Sequence, residues 1–149
     1  MNIEKMKKMM FVFATLMFSL VACADNDQMI NYSKLPVQAQ VFIQKYFNAA
    51  DVMYVERERD GIHAEYNVYL KRSIEIEFDH QGELKSIDCG MSPLPDGIVP
   101  EVIAHYVSYH FNNAVIVEYV IGRSRVSVEL SNGTELIFDL SGNFIGMDD

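Results

Sequence analysis

The spacing of apolar positions along the chain shifts from a helical period to a strand period, and it does so twice. In LPVQAQVFIQKYF, residues 35–47, Ala39, Phe42, Ile43, Tyr46 and Phe47 follow the i, i+3, i+4, i+7, i+8 pattern of one helix face. In VPEVIAHYVSYHF, residues 99–111, Ile103, Tyr106, Val107, His110 and Phe111 repeat that pattern. Pro36 and Pro100 fall in the first turn, where a missing N–H and a fixed φ cost little, and Asn48 and Asn112 stand where each helix is expected to end. After each helix the period drops to two. DVMYVERE, HAEYNVYL, SIEIEFD and LKSID follow the first; AVIVEYVI, SRVSVEL, TELIFD and FIGMD follow the second. Asp60-Gly61 and Asn132-Gly133 supply hairpin turns, whereas Arg72-Ser73 lacks a residue suited to positive φ and predicts a looser or longer turn.

The two halves echo one another in words as well as in period. IEIEFDHQGELKSID, residues 74–88, returns as TELIFDLSGNFIGMD, residues 134–148, with Glu75, Phe78, Asp79, Gly82 and Asp88 recurring as Glu135, Phe138, Asp139, Gly142 and Asp148. The D-x-x-G pieces are turn chemistry: Asp bonds local backbone N–H groups and Gly takes the left-handed position. The expectation is an α+β fold of two tandem repeats, each a helix plus a four-stranded antiparallel sheet, with the helices packed on one sheet face; a unit of about sixty residues is marginal alone, so the two are expected to share one sheet or to pack their helices over a joint core. The boundaries are 25–34 for an N-terminal segment, 35–88 for the first repeat, 89–98 for a Gly/Pro-rich linker and 99–149 for the second repeat.

The first two dozen residues are of another kind. Lys5, Lys7 and Lys8 precede an uncharged apolar run from Met9 to Val21, the length of a signal-peptide core and short for a bilayer span. Two cleavage readings fit. Leu20-Val21-Ala22-Cys23 reads as a lipobox, giving residues 1–22 as leader and Cys23 as a lipidation candidate; Ala22-Cys23-Ala24 reads as an A-x-A site, giving a signal peptide over 1–24. Either cut leaves Cys89 without an intramolecular disulfide partner, and no helix N-terminus or base beside it in sequence points to a reactive thiolate. Loss of the leader, with Glu4 and three lysines, takes the formal charge from −9 to −11. Such a surface repels nucleic acid and anionic headgroups and attracts a basic protein or divalent cations.

The tandem motifs LP…Q.FI..YF, YNVYL, IEFD..G and VEL.NG.EL.FD..G behind an export signal resemble the PepSY-like, beta-lactamase-inhibitor-like proteins of bacterial envelopes. The resemblance covers residues 35–148. It implies helices on one side of an antiparallel sheet and a non-catalytic binding or inhibitory module in the periplasm, soluble or lipid-anchored. It marks no catalytic residue, and it favours cleavage before Asp25.

Candidate chemistry in the residues themselves is sparse. His63, His80, His105 and His110 show no paired metal spacing, and His110 is expected to be a half-buried packing residue. There is no G-x-S-x-G elbow and no phosphate-binding glycine loop. The paired carboxylates Glu75 and Glu77 read as a solvated strand face, so no enzyme activity is expected. Calcium is a second reading, with Asp79 and Glu83 as weak ligand candidates lacking an EF-hand loop. Alternation fixes the sheet face turned from the helices: Glu65, Asn67, Tyr69, Glu75, Glu77, Arg125, Ser127, Glu129, Glu135 and Ile137. With aromatic and apolar anchors among acids, this face is the expected binding surface for a protein or peptide, possessing the charge to suit a basic one. A self-associating scaffold of exposed sheet edges is the third reading.

Overall fold

The computed structural model describes residues 27–148, so the expected leader, its cleavage sites and Cys23 lie outside the described residues. The order is β1 (Gln28–Ile30), a 3-10 turn (Tyr32–Lys34), α1 (Val37–Tyr46), a second 3-10 turn (Ala49–Asp51), β2 (Val52–Asp60), β3 (His63–Leu70), β4 (Ile74–Phe78), β5 (Leu84–Asp88), α2 (Glu101–His110), β6 (Ile116–Ile121), β7 (Arg125–Leu130), β8 (Glu135–Asp139) and β9 (Phe144–Asp148).

Each helix forms where the 3.6-residue stripe predicts. Ala39 and Ile43 of α1, and Ile103 and Val107 of α2, are the buried positions of those stripes. Pro36 and Pro100 precede the first helical residue, both near φ −51°. The asparagines do less than expected at the helix ends. α1 stops at Phe47, which turns extended, and Asn48 instead opens the following 3-10 turn by accepting from the Ala50 N–H at 3.0 Å.

The strands do not form two separate four-stranded units. The nine strands among the described residues lie in one antiparallel sheet, paired in sequence order from β1 to β9, and two short α-helices accompany them there. This overturns the expected pair of helix-plus-four-strand repeats. The joint is the β5–β6 ladder, with Ser86, Ile87 and Asp88 opposite Val120, Tyr119 and Glu118. β1, within the expected N-terminal segment 25–34, extends the sheet beyond β2. Periodicity is a local property: it marks which residues face inward but carries no information on which strand edges meet across a connector.

The inward residues share one core. Phe78, Phe138, Ile76, Ile87, Leu130 and Leu136 are essentially fully buried, and the helix residues Ala39, Ile43, Ile103 and Val107 join the same cluster. The Gly/Pro-rich stretch 89–98 feeds that core through buried Cys89 and Ile98, and its Leu94 N–H bonds Ile116 O at 2.9 Å.

The D-x-x-G hairpins have the expected turn bonds and an additional role. Asp79 Oδ1 accepts from the N–H groups of Gln81 (2.8 Å) and Glu83 (2.9 Å); Asp139 Oδ1 does the same with Ser141 and Asn143. Gly82 and Gly142 both sit at φ +86°, and each turn lies directly under the start of a helix. A Cβ on Gly82 would stand 2.7 Å from Pro36 Cβ and 2.9 Å from the Ala39 backbone nitrogen. The Arg72-Ser73 turn is longer than two residues, as expected: Lys71, Arg72 and Ser73 lie between the paired Leu70 and Ile74, and Arg72 and Ser73 adopt positive φ, 65° and 59°, without glycine.

Candidate functional site

Strand alternation, together with the observed register, builds one continuous row of side chains across the face turned from the helices. Tyr54 on β2 lies opposite Tyr69 on β3, then Glu75 on β4, Asp88 on β5, Glu118 on β6, Glu129 on β7, Glu135 on β8 and Asp148 on β9. Six consecutive carboxylates therefore stand directly opposite one another at the inter-strand spacing of about 4.8 Å. Like charges in that relation destabilise a sheet. None of the six enters an ion pair among the described residues, whose three ion pairs involve Lys71 with Asp51, and Lys85 with Glu65 and Glu77.

The crowding shows in the titration of the row. Glu118, at its centre, is pushed up to about 7, first by burial and then by Asp88, Glu129 and Glu135. Glu75 is raised by burial and by Asp88, Glu77 and Glu56, against a lowering hydrogen bond from Tyr69. The Tyr69 hydroxyl is raised in turn, by burial and then by Glu75 and Glu56.

Above the row a second set follows. Lys85 Nζ lies 2.6 Å from Glu77 Oε1 and 2.7 Å from Glu65 Oε1, and Ser86 Oγ donates to Glu77 Oε2 at 3.3 Å. Burial alone raises Glu77, but the bonds from Lys85, Glu65 and Ser86 outweigh it and hold the carboxyl below its ordinary range. The Lys85→Met variant is expected to return Glu77 to or above that range, followed by carboxyl NMR over a pH titration. An unmoved Glu77 titration contradicts the bridge.

At the β2–β4 end of the row the face opens into a cleft of about 440 Å3. Met53, Tyr54, Tyr69, Leu70 and Ile74 line it with apolar surface, and Arg72, Ser73 and Glu75 supply its polar groups. Tyr54 and Tyr69 stack with ring centroids 4.4 Å apart and an interplanar angle of 21°. Arg72 makes no ion pair among the described residues.

The structure puts all the sequence-designated face residues on one side of the sheet: Glu65, Asn67 and Tyr69 on β3, Glu75 and Glu77 on β4, Arg125, Ser127 and Glu129 on β7, and Glu135 and Ile137 on β8. Sequence reasoning missed Tyr54, Asp88, Glu118 and Asp148, which complete the row. A signal existed, because Asp88 and Asp148 are two of the echoed positions, but joining them to Glu118 and Glu129 required the β5–β6 register.

One Asp79 oxygen is committed to its own turn. Among the described residues no three His, Cys, Asp or Glu side chains are grouped to hold a metal ion. His110 is exposed rather than half-buried, its ring tilted at 37° to that of Tyr106 with centroids 4.3 Å apart, because it falls at the solvent edge of the last turn of α2. His63 stacks on His80 at 4.4 Å. Cys89 is buried, and burial followed by Asp88 pushes its thiol up to about 11, away from reactivity. No described helix is long and apolar enough to cross a membrane.

An antiparallel sheet with two short helices on one face and an acidic open face on the other defines the described residues as a helix-backed sheet module. The family model described as "Putative beta-lactamase-inhibitor-like, PepSY-like" matches residues 64–146, and the chain belongs to that family. Its fold is similar to that of a "putative periplasmic protein from DUF2874 family" of Bacteroides vulgatus, with a TM-score of 0.80 and 31% identity over 85% of this chain and 100% of that one. It is equally similar to a "putative calcium-regulated periplasmic protein" of Bacteroides thetaiotaomicron, with a TM-score of 0.80 and 32% identity over 85% and 100% of the two chains. A third, a "putative periplasmic protein of unknown function" from Bacteroides vulgatus, gives 0.77 and 33% over 83% and 99%. No curated protein matches the chain.

Proposed function

We propose that the protein is an exported, periplasmic, non-catalytic binding module that recognises a basic protein or peptide segment through its open sheet face, in an inhibitory or regulatory role. The observation that supports this most is the row of six opposed carboxylates from Glu75 to Asp148, none of them in an ion pair among the described residues. A sheet that keeps like charges opposite one another gives up stability, and a cationic partner recovers it on binding. Stacked Tyr54 and Tyr69 at one end supply the rigid aromatic surface enriched in interface anchors.

The test is calorimetric titration with a lysine-rich peptide. Affinity is expected to fall at least tenfold between about 50 and 300 mM salt, because screening acts on exposed charge pairs. The Glu129→Gln/Glu135→Gln double variant is expected to weaken binding by a further tenfold or so. Salt-independent binding, or wild-type affinity in the double variant, overturns the reading.

A calcium-responsive role is the second reading, favoured by the description of the Bacteroides thetaiotaomicron neighbour as calcium-regulated and by the hard oxygen donors of the row. Calcium binding displaces the proton that Glu118 retains near neutral pH, so proton release should accompany it. Heat and proton release at submillimolar calcium support this role; neither at millimolar calcium removes it.

A further inference from the structure

The cleft beside the Arg72-Ser73 turn is continuous with the carboxylate row, since Tyr54, Tyr69 and Glu75 belong to both. Its volume of about 440 Å3 is enough for a large side chain with its backbone. Apolar surface from Met53, Leu70 and Ile74 makes its floor and walls suited to an aliphatic or aromatic group.

The turn that rims it carries a conformational cost. Arg72 and Ser73 both hold positive φ, a region that disfavours side chains bearing a Cβ. The turns at Gly61, Gly82, Gly133 and Gly142 place glycine at positive φ. The turn places a guanidinium, in no ion pair among the described residues, and a hydroxyl at the mouth of the cleft, on a chain of net charge −9.

Charge orders the two ends. Arg72 repels a lysine or arginine and attracts a carboxylate, whereas the face running from Glu75 to Asp148 does the reverse. We propose that the cleft receives the C-terminal residue of an extended basic peptide: its apolar side chain enters among Met53, Tyr54 and Ile74, its terminal carboxylate meets Arg72 and Ser73, and its preceding basic residues cross the carboxylate row. The row from β4 to β9 covers five strand spacings, about 24 Å, which an extended chain spans in about seven residues. This deepens the reading of the face as a basic-peptide site and rests on it.

The experiment uses the full chain and a dye-labelled octapeptide with alternating lysines and a C-terminal phenylalanine, followed by fluorescence anisotropy, with circular dichroism confirming each variant's fold. The free-acid peptide is expected to bind at least tenfold tighter than its C-terminal amide. Arg72→Gln, an exposed substitution, is expected to erase that difference. A free acid ending in glycine is expected to bind several-fold more weakly than the phenylalanine peptide. Equal binding of acid and amide to the wild-type chain overturns the cleft assignment. If Glu129→Gln/Glu135→Gln still weakens both, the face reading survives that loss. Failure of both peptides to bind the wild-type chain sinks the two together.

Discussion

Gly82→Ala is expected to lower the stability of the protein by about 3 kcal/mol and its melting temperature by about 10 °C. Two effects add. At φ +86° an alanine suffers left-handed strain of about 1–2 kcal/mol. The new methyl also meets the backbone nitrogen of Ala39 at 2.9 Å and Pro36 Cβ at 2.7 Å, and neither is the flexible end of a side chain. Relief requires the first turn of α1 to lift from the β4–β5 hairpin, which uncovers Ala39 and Ile43 in the core. Gly133→Ala is the control. That glycine has the same φ of +86° but open space where the methyl would go, so it should cost only the strain. Thermal unfolding followed by circular dichroism checks the pair. Equal losses in the two variants would contradict the role of Gly82 as the seat of α1.

Glu118→Gln is expected to stabilise the protein at pH 8 and to leave it unchanged near pH 4. The carboxyl of Glu118 titrates at about 7 when folded, above its ordinary value of 4.5. For a raised acid the unfolded state loses its proton first. Stability therefore falls as pH rises from about 4.5, and the whole penalty is present above about 7. Glutamine is neutral throughout and removes that slope. The shift is discounted for the partial exposure of the site and for screening, which leaves a gain of about 1 kcal/mol and about 4 °C at pH 8. Melting curves at pH 4, 6 and 8 decide it. A gain that is the same at all three values would point to packing rather than to charge. A basic ligand on the row should shrink the same pH dependence in the wild-type chain, since it supplies countercharge to the row.

Much of the local structure was legible because its causes are local. The stripe Ala39, Ile43 and the stripe Ile103, Val107 marked the two helices, and the alternation in YNVYL, IEIEF and RVSVEL marked the buried face of β3, β4 and β7. The same alternation placed Glu75, Glu77, Glu129 and Glu135 on the open face. The positive φ of Arg72 and Ser73 was not legible, since nothing adjacent in sequence shows why they accept it; the cleft they border draws on β2 and β4 as well as β3.

By itself, then, the sequence determined the helices, eight of the nine strands, their inward and outward faces and the acidity of the outer one, because each follows from the period of side chains along a single stretch of backbone. Only the tertiary structure decided that β5 pairs with β6, so that one nine-stranded sheet forms where two units were expected, and that six carboxylates and two tyrosines fall into one row. Register between strands depends on which edges meet and on a single residue of offset, and a one-dimensional pattern holds no record of either.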